Sequence, residues 1–153
     1  MSSANVDCMR HGVERRSRPL DGNGSRISDF GPESMPNSFE ETDAWKTARN
    51  LSKEIYSVCR REPLCLDFGL CDQLRRAAVS VMNNIAEGWE SIHSAEKRQA
   101  YNYARRSCGE LRSMTYALLD NQFINENDQK SLMELCIKAG QLVSGLIRSL
   151  DKR

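Results

Sequence analysis

No apolar run in the sequence approaches the ~20 residues that a membrane-spanning helix needs. A membrane partner is therefore not expected. A secretory apolar segment is also missing, so an oxidising compartment is not implied and a cytoplasmic location is expected. Histidine is almost absent, with only His11 and His93. The six cysteines at 8, 59, 65, 71, 108 and 136 show no C-x-x-C spacing. They read as reduced thiols, several of them core fillers, rather than as a metal site. The repeated Glu-x-x-His motif of di-iron bundles is lacking, as is a G-x-x-x-x-G-K-[ST] phosphate loop. With no nucleophile beside a base, no catalytic residue and no cofactor are expected, and an enzyme is disfavoured. A net charge of +1 leaves no global excess for a polyanion to find. Any nucleic-acid argument must rest on local clustering of charge.

What is present suits one soluble domain. The 153 residues, 39% hydrophobic and 28% charged, can build a single core. Residues 1–37 differ from the rest. Pro19, Pro32 and Pro36, together with glycines and few large apolar side chains, sustain no period there. A disordered arm is expected, because such a segment buries too little to offset its ordering entropy. Arg15, Arg16 and Arg18 give that arm a weak basic patch. Met35 lies just before the first helix signal, and a true start at Met35 is the other reading of the arm.

Residues 38–153 show helical periodicity throughout and no run with the period of two that a strand needs. The first helix is expected to begin at a capping box, Ser38 to Glu41, and to end at Pro63. Its stripe is Trp45, Ala48, Leu51, Ile55 and Val58. The second runs from about 67 to 89, with Leu70, Leu74, Ala77, Ala78, Val81, Ile85 and Trp89 on one side. Gly88 and the polar stretch after it mark a turn. The third spans about 95–121, on a stripe of Ala100, Ala104, Ser107, Leu111, Met114 and Leu118. Gly109 falls on its polar side. A polar turn over 125–128 precedes the fourth helix, striped by Leu132, Leu135, Ala139, Leu142, Leu146 and Leu150. Four such helices with short loops predict an all-α, antiparallel up-and-down four-helix bundle.

The outer face of the third helix carries the chemistry. Arg98, Arg105 and Arg112 recur every seven residues and align on one side. Tyr116 continues the row, Tyr101 sits on its shoulder, and Lys97 and Arg106 flank it. Guanidinium groups suit phosphates, and tyrosine rings can stack on bases. The other reading is a solvated or subunit-facing surface paired with acids.

The second helix also carries a recognisable block. Phe68-Gly69-Leu70, Gln73-Leu74-Arg75-Arg76-Ala77-Ala78-Val79-Ser80 and Asn84-Ile85-Ala86-Glu87-Gly88 resemble the signature of the 23S rRNA intervening-sequence protein family. Ala44-Trp45-Lys46 and the stretch Tyr103 to Leu111 are similar to two further family patterns. The likeness covers about residues 38–150. It departs at Val81-Met82-Asn83, where the family usually carries a proline. The resemblance implies a four-helix bundle that forms a homo-oligomer, a pentamer by analogy with the related accessory variability proteins of retroelements. It also implies nucleic acid and a reverse transcriptase as partners. Arg75, Arg76, Asn84 and Glu87 of the block read as a subunit interface or a partner surface. Two functions stay open, an oligomeric nucleic-acid-binding protein and a structural adaptor that binds only protein.

Overall fold

A computed structural model of the protein describes residues 36–152. Of the expected arm, only Pro36 and Asn37 fall within that range. The basic patch at 15–18, His11, Cys8 and the start at Met35 lie outside the described residues.

Four α-helices follow one another: α1 (Asp43–Val58), α2 (Phe68–Glu90), α3 (Ser94–Asp120) and α4 (Glu126–Leu150). Each packs against its two neighbours, and α4 closes the ring on α1. This is the four-helix bundle that the periodicity predicts. Among the described residues there is no strand.

Helix α1 is shorter than expected at both ends. Ser38 makes no side-chain capping bond; a 3-10 turn over Phe39–Glu41 follows it instead. The Glu41 carboxylate accepts from the Asn37 N–H at 2.8 Å, so the expected box closes on a different partner. Thr42 is extended and breaks the chain before α1. Its hydroxyl oxygen caps α1 by accepting from the Trp45 N–H at 3.2 Å. At the other end α1 stops at Val58, and Pro63 opens a separate 3-10 turn over Leu64–Leu66. Leu64 is fully buried there.

The other boundaries follow local chemistry. Asp67 caps α2 through Leu70 N–H at 2.9 Å, and α2 runs unbroken to Glu90 without the family's proline. The stretch 125–128 is not a separate turn. Asn125 caps α4 by accepting from Asp128 N–H at 2.9 Å, and the remaining polar residues form the helix's first turn. Helix α3 ends in a Schellman motif, with Phe123 N–H on Leu118 O and Gln122 N–H on Leu119 O, both at 2.9 Å. Gln122 takes the left-handed conformation, φ 59°, that glycine usually fills.

The core is nearly the one the stripes foretell, with informative exchanges. On α3, Tyr101, Cys108 and Thr115 are buried, while Ser107 is only half-buried. Ser107 meets Ser80 of α2, hydroxyl to hydroxyl at 2.9 Å. On α4, Cys136 and Val143 are fully buried, whereas Leu135, Leu142, Leu146 and Leu150 are half-buried. Helix α1 has 16 residues against 25 in α4, so it cannot run the full length of its neighbour.

Candidate functional site

The arginine row of α3 separates into groups once its neighbours are in place. Arg105 and Arg112 are exposed and line a groove of about 430 Å³ between α3 and α4. From α4 the groove receives Arg148, Gln141, Ser144, Gly140 and Ile137. Cys136, Gly140, Ser144 and Arg148 recur every four residues, which sets them in one line along α4.

Two glycines keep this groove open. A Cβ at Gly109 would meet nothing within 4 Å, and one at Gly140 would touch only Cys108 Cβ, at an ordinary 3.7 Å. Packing therefore demands neither glycine, although each costs about 1 kcal/mol in a helix relative to alanine. Their effect is to leave backbone accessible where side chains would fill the hollow.

The groove's charge is one-sided. None of its lining residues is a carboxylate. Among the described residues Arg105, Arg112 and Arg148 make no ion pair. Cys108 and Cys136 lie buried at its base. Burial pushes the Cys108 thiol up to about 11, against a weaker opposing pull from a backbone hydrogen bond. Burial, then the neighbouring Cys108, push Cys136 up to about 12 while Arg112 pulls the other way. Both thiols stay neutral at physiological pH, so they do not cancel the three guanidinium charges.

Other members of the expected row do different work. Arg98 pairs with the Asp151 carboxylate in an exposed bridge. Tyr116 is exposed, one turn beyond Arg112. Lys97 is not on the outer face: its Nζ donates to the carbonyls of Trp89 at 2.9 Å and Gly88 at 3.4 Å. A cation there complements the C-terminal end of α2. Tyr101 is not a shoulder residue either, being 3% exposed. Its ring lies over Gly88, where a side chain would leave no room. Gly88 accordingly sits inside α2, buried, rather than in the expected turn.

Arg106 turns towards α2, with its guanidinium 5.8 Å over the Tyr103 ring. Both line a hollow of about 450 Å³ with Ser80, Asn84, Ser107 and Glu110. Arg75 lies 5.7 Å over the Tyr56 ring and donates to Cys59 O at 3.3 Å. Its Nε is buried and has no acceptor among the described residues. Arg76 forms an exposed pair with Asp72 at 3.4 Å. Asn84 Nδ2 donates to Ser80 O at 2.8 Å and Ser80 Oγ at 3.1 Å. The Glu87 side chain is exposed, and its carbonyl accepts from Ser91 at the helix end.

The sequence reading missed Arg148, Gly140 and Tyr56. The four-residue repeat ending at Arg148 was the available signal for the first two. Nothing local marked Tyr56, which meets Arg75 only through α1–α2 packing. One Glu-x-x-His spacing does occur, from Glu90 to His93, but it straddles the end of α2 and both residues are exposed. Among the described residues no group of three or more His, Cys, Asp or Glu could hold a metal ion. Nor is any helix there long and apolar enough to cross a membrane.

The family model described as 23S rRNA-intervening sequence protein matches residues 40–145, and the chain belongs to that family. No curated protein matches the chain.

Proposed function

We propose that this member of the 23S rRNA-intervening sequence protein family is a non-enzymatic nucleic-acid-binding protein whose α3–α4 groove takes the phosphate backbone. One observation carries the reading. Three unpaired guanidinium groups, Arg105, Arg112 and Arg148, converge on a hollow that two glycines keep open. Arginine forks suit phosphate oxygens, and a groove without carboxylates favours an anion. Arg105 and Arg112 stand about 10 Å apart along the helix, so they reach different phosphates of one strand.

Salt dependence tests this. Three contacts to a single strand give a slope of about −2 in log affinity against log salt, or about a 20-fold loss between 50 and 200 mM. Fluorescence anisotropy with a 20-nucleotide RNA reads the slope. The triple variant R105A/R112A/R148A should flatten it. Absence of binding at 50 mM salt by the intact protein refutes the reading.

The protein is also proposed to self-associate. Leu142, Leu146 and Leu150 of α4 border a cavity of about 700 Å³ with Trp89 and Ala44. Among the described residues the short α1 leaves this end of α4 uncovered, and a second copy would bury its half-exposed leucines.

A further inference from the structure

We infer that the outer face of α2 is a second nucleic-acid surface, one that takes unpaired bases rather than phosphates. This rests on the nucleic-acid reading above and adds the class of ligand to it: single-stranded over duplex. Two arginine–tyrosine stacks frame the surface. One is Arg75 over Tyr56 at 5.7 Å; the other is Arg106 over Tyr103 at 5.8 Å. The tyrosines remain 39% and 46% exposed. Between them Ser80 and Asn84 belong to both flanking hollows, of about 520 and 450 Å³, so the two are continuous across α2.

The chemistry differs from that of the α3–α4 groove. That groove holds no aromatic ring, so it suits a backbone. The α2 face offers planar π and guanidinium surfaces, which extend naturally by one more stacked ring. Duplex bases have both faces already covered; unpaired bases do not. Asn84 spends its Nδ2 protons on Ser80, and its Oδ1 receives no hydrogen bond among the described residues. That oxygen is left to accept from a base amino group. A protein partner fits less well, because Val79 is the only aliphatic side chain lining either hollow.

The two surfaces are also joined. Arg105 and Arg106 are consecutive on α3, and one lines each groove. A strand held by its phosphates on the α4 side can therefore cross α3 and place bases on the α2 side.

The test compares three probes of equal phosphate number, every strand 5′-phosphorylated, by fluorescence anisotropy at 50 mM salt: an unstructured 20-nucleotide strand, the same strand made abasic, and a 10-base-pair duplex. The intact protein should bind the base-bearing strand about 5-fold or more tightly than the other two, the effect of at least one stacked base. Y56L/Y103L should lower affinity for that strand to the abasic level. It should leave duplex affinity, salt slope and the helical circular dichroism of the folded protein unchanged. Equal binding of all three probes by the intact protein overturns the inference while the phosphate groove stands. So does a variant that retains the preference, or one that loses affinity for every probe alike. No binding of any probe overturns both readings together.

Discussion

Replacing Gly88 with alanine should destabilise the protein, although alanine is the better helix former. An alanine Cβ at this position would lie 2.5 Å from Tyr101 Cε1 and 2.7 Å from Cδ1. Carbon atoms pack at about 3.5–4.0 Å, so roughly 1 Å of overlap must be relieved. The ring cannot swing into solvent, since Tyr101 is buried at 3% exposure. Either its side chain leaves its rotamer or α2 and α3 separate, and overpacking of this kind costs about 1–3 kcal/mol. Helix propensity returns at most about 1 kcal/mol, and less here, because α2 ends two residues later. The net expectation is a loss of about 1–2 kcal/mol, or roughly a 0.5–1 M fall in the urea midpoint followed by circular dichroism. Repeating the change in a Tyr101→Leu background isolates the cause. With the ring gone, G88A should be neutral or mildly stabilising, giving a coupling of about 1–3 kcal/mol. An unchanged or raised midpoint for G88A alone refutes the argument. An equal loss in both backgrounds refutes it as well.

Alkaline pH should weaken the fold through its buried thiols. Cys108 and Cys136 hold their protons to about 11 and 12 when folded, against 9.0 when unfolded. Their contribution is intact below pH 9 and falls as the unfolded thiols ionise, by up to about 1.4 kcal/mol per pH unit for each. Urea midpoints at pH 8, 9 and 10 should thus decline more steeply for the intact protein than for C108A/C136A; parallel declines would contradict this. Native mass spectrometry should find an oligomer, five-fold if the family likeness extends to assembly, and L142E/L146E should dissociate it into folded monomers. A monomer at micromolar concentration removes the proposed self-association.

Helix number and the bundle itself were legible because each helix writes its buried face every three or four residues. The stripes of α1 and α2 predicted most of the residues that pack. Legibility fell where neighbours decide. Leu142 and Val143 are equally apolar in sequence, yet Val143 is fully buried and Leu142 half-buried. They stand about 100° apart on α4: Val143 joins the buried row of Leu132, Cys136 and Ala139, whereas Leu142 lies on the flank beside Asp43 and Lys46 of α1. Tyr101 was misplaced for a related reason. Its position on the wheel borders the core, and its burial depends on a missing side chain thirteen residues earlier, at Gly88. The role of Lys97 depends on where α2 ends. Arg105 and Arg112 were legible as aligned cations, but their groove needs Arg148 and Gly140 from another helix.

Near-neutral total charge argues against a polyanion partner only where every charge is free, and pairing changes what that total means. The chain carries 22 Lys and Arg against 21 Asp and Glu. Asp72, Asp128 and Asp151 are engaged by Arg76, Arg61 and Arg98 respectively. Those pairs are exposed and contribute little stability; Asp72 and Asp128 lie off the α3–α4 groove, while Asp151, three residues beyond Arg148, has its charge met by Arg98. From Lys97 to Arg112, α3 holds five cations and one carboxylate, Glu110. Glu110 lines the α2-side hollow, not the groove shared by Arg105, Arg112 and Arg148. Screening length at physiological ionic strength is about 8 Å. Acids on the far helices therefore do little to cancel these three arginines, and a phosphate approaching the groove meets their field rather than the average of the molecule.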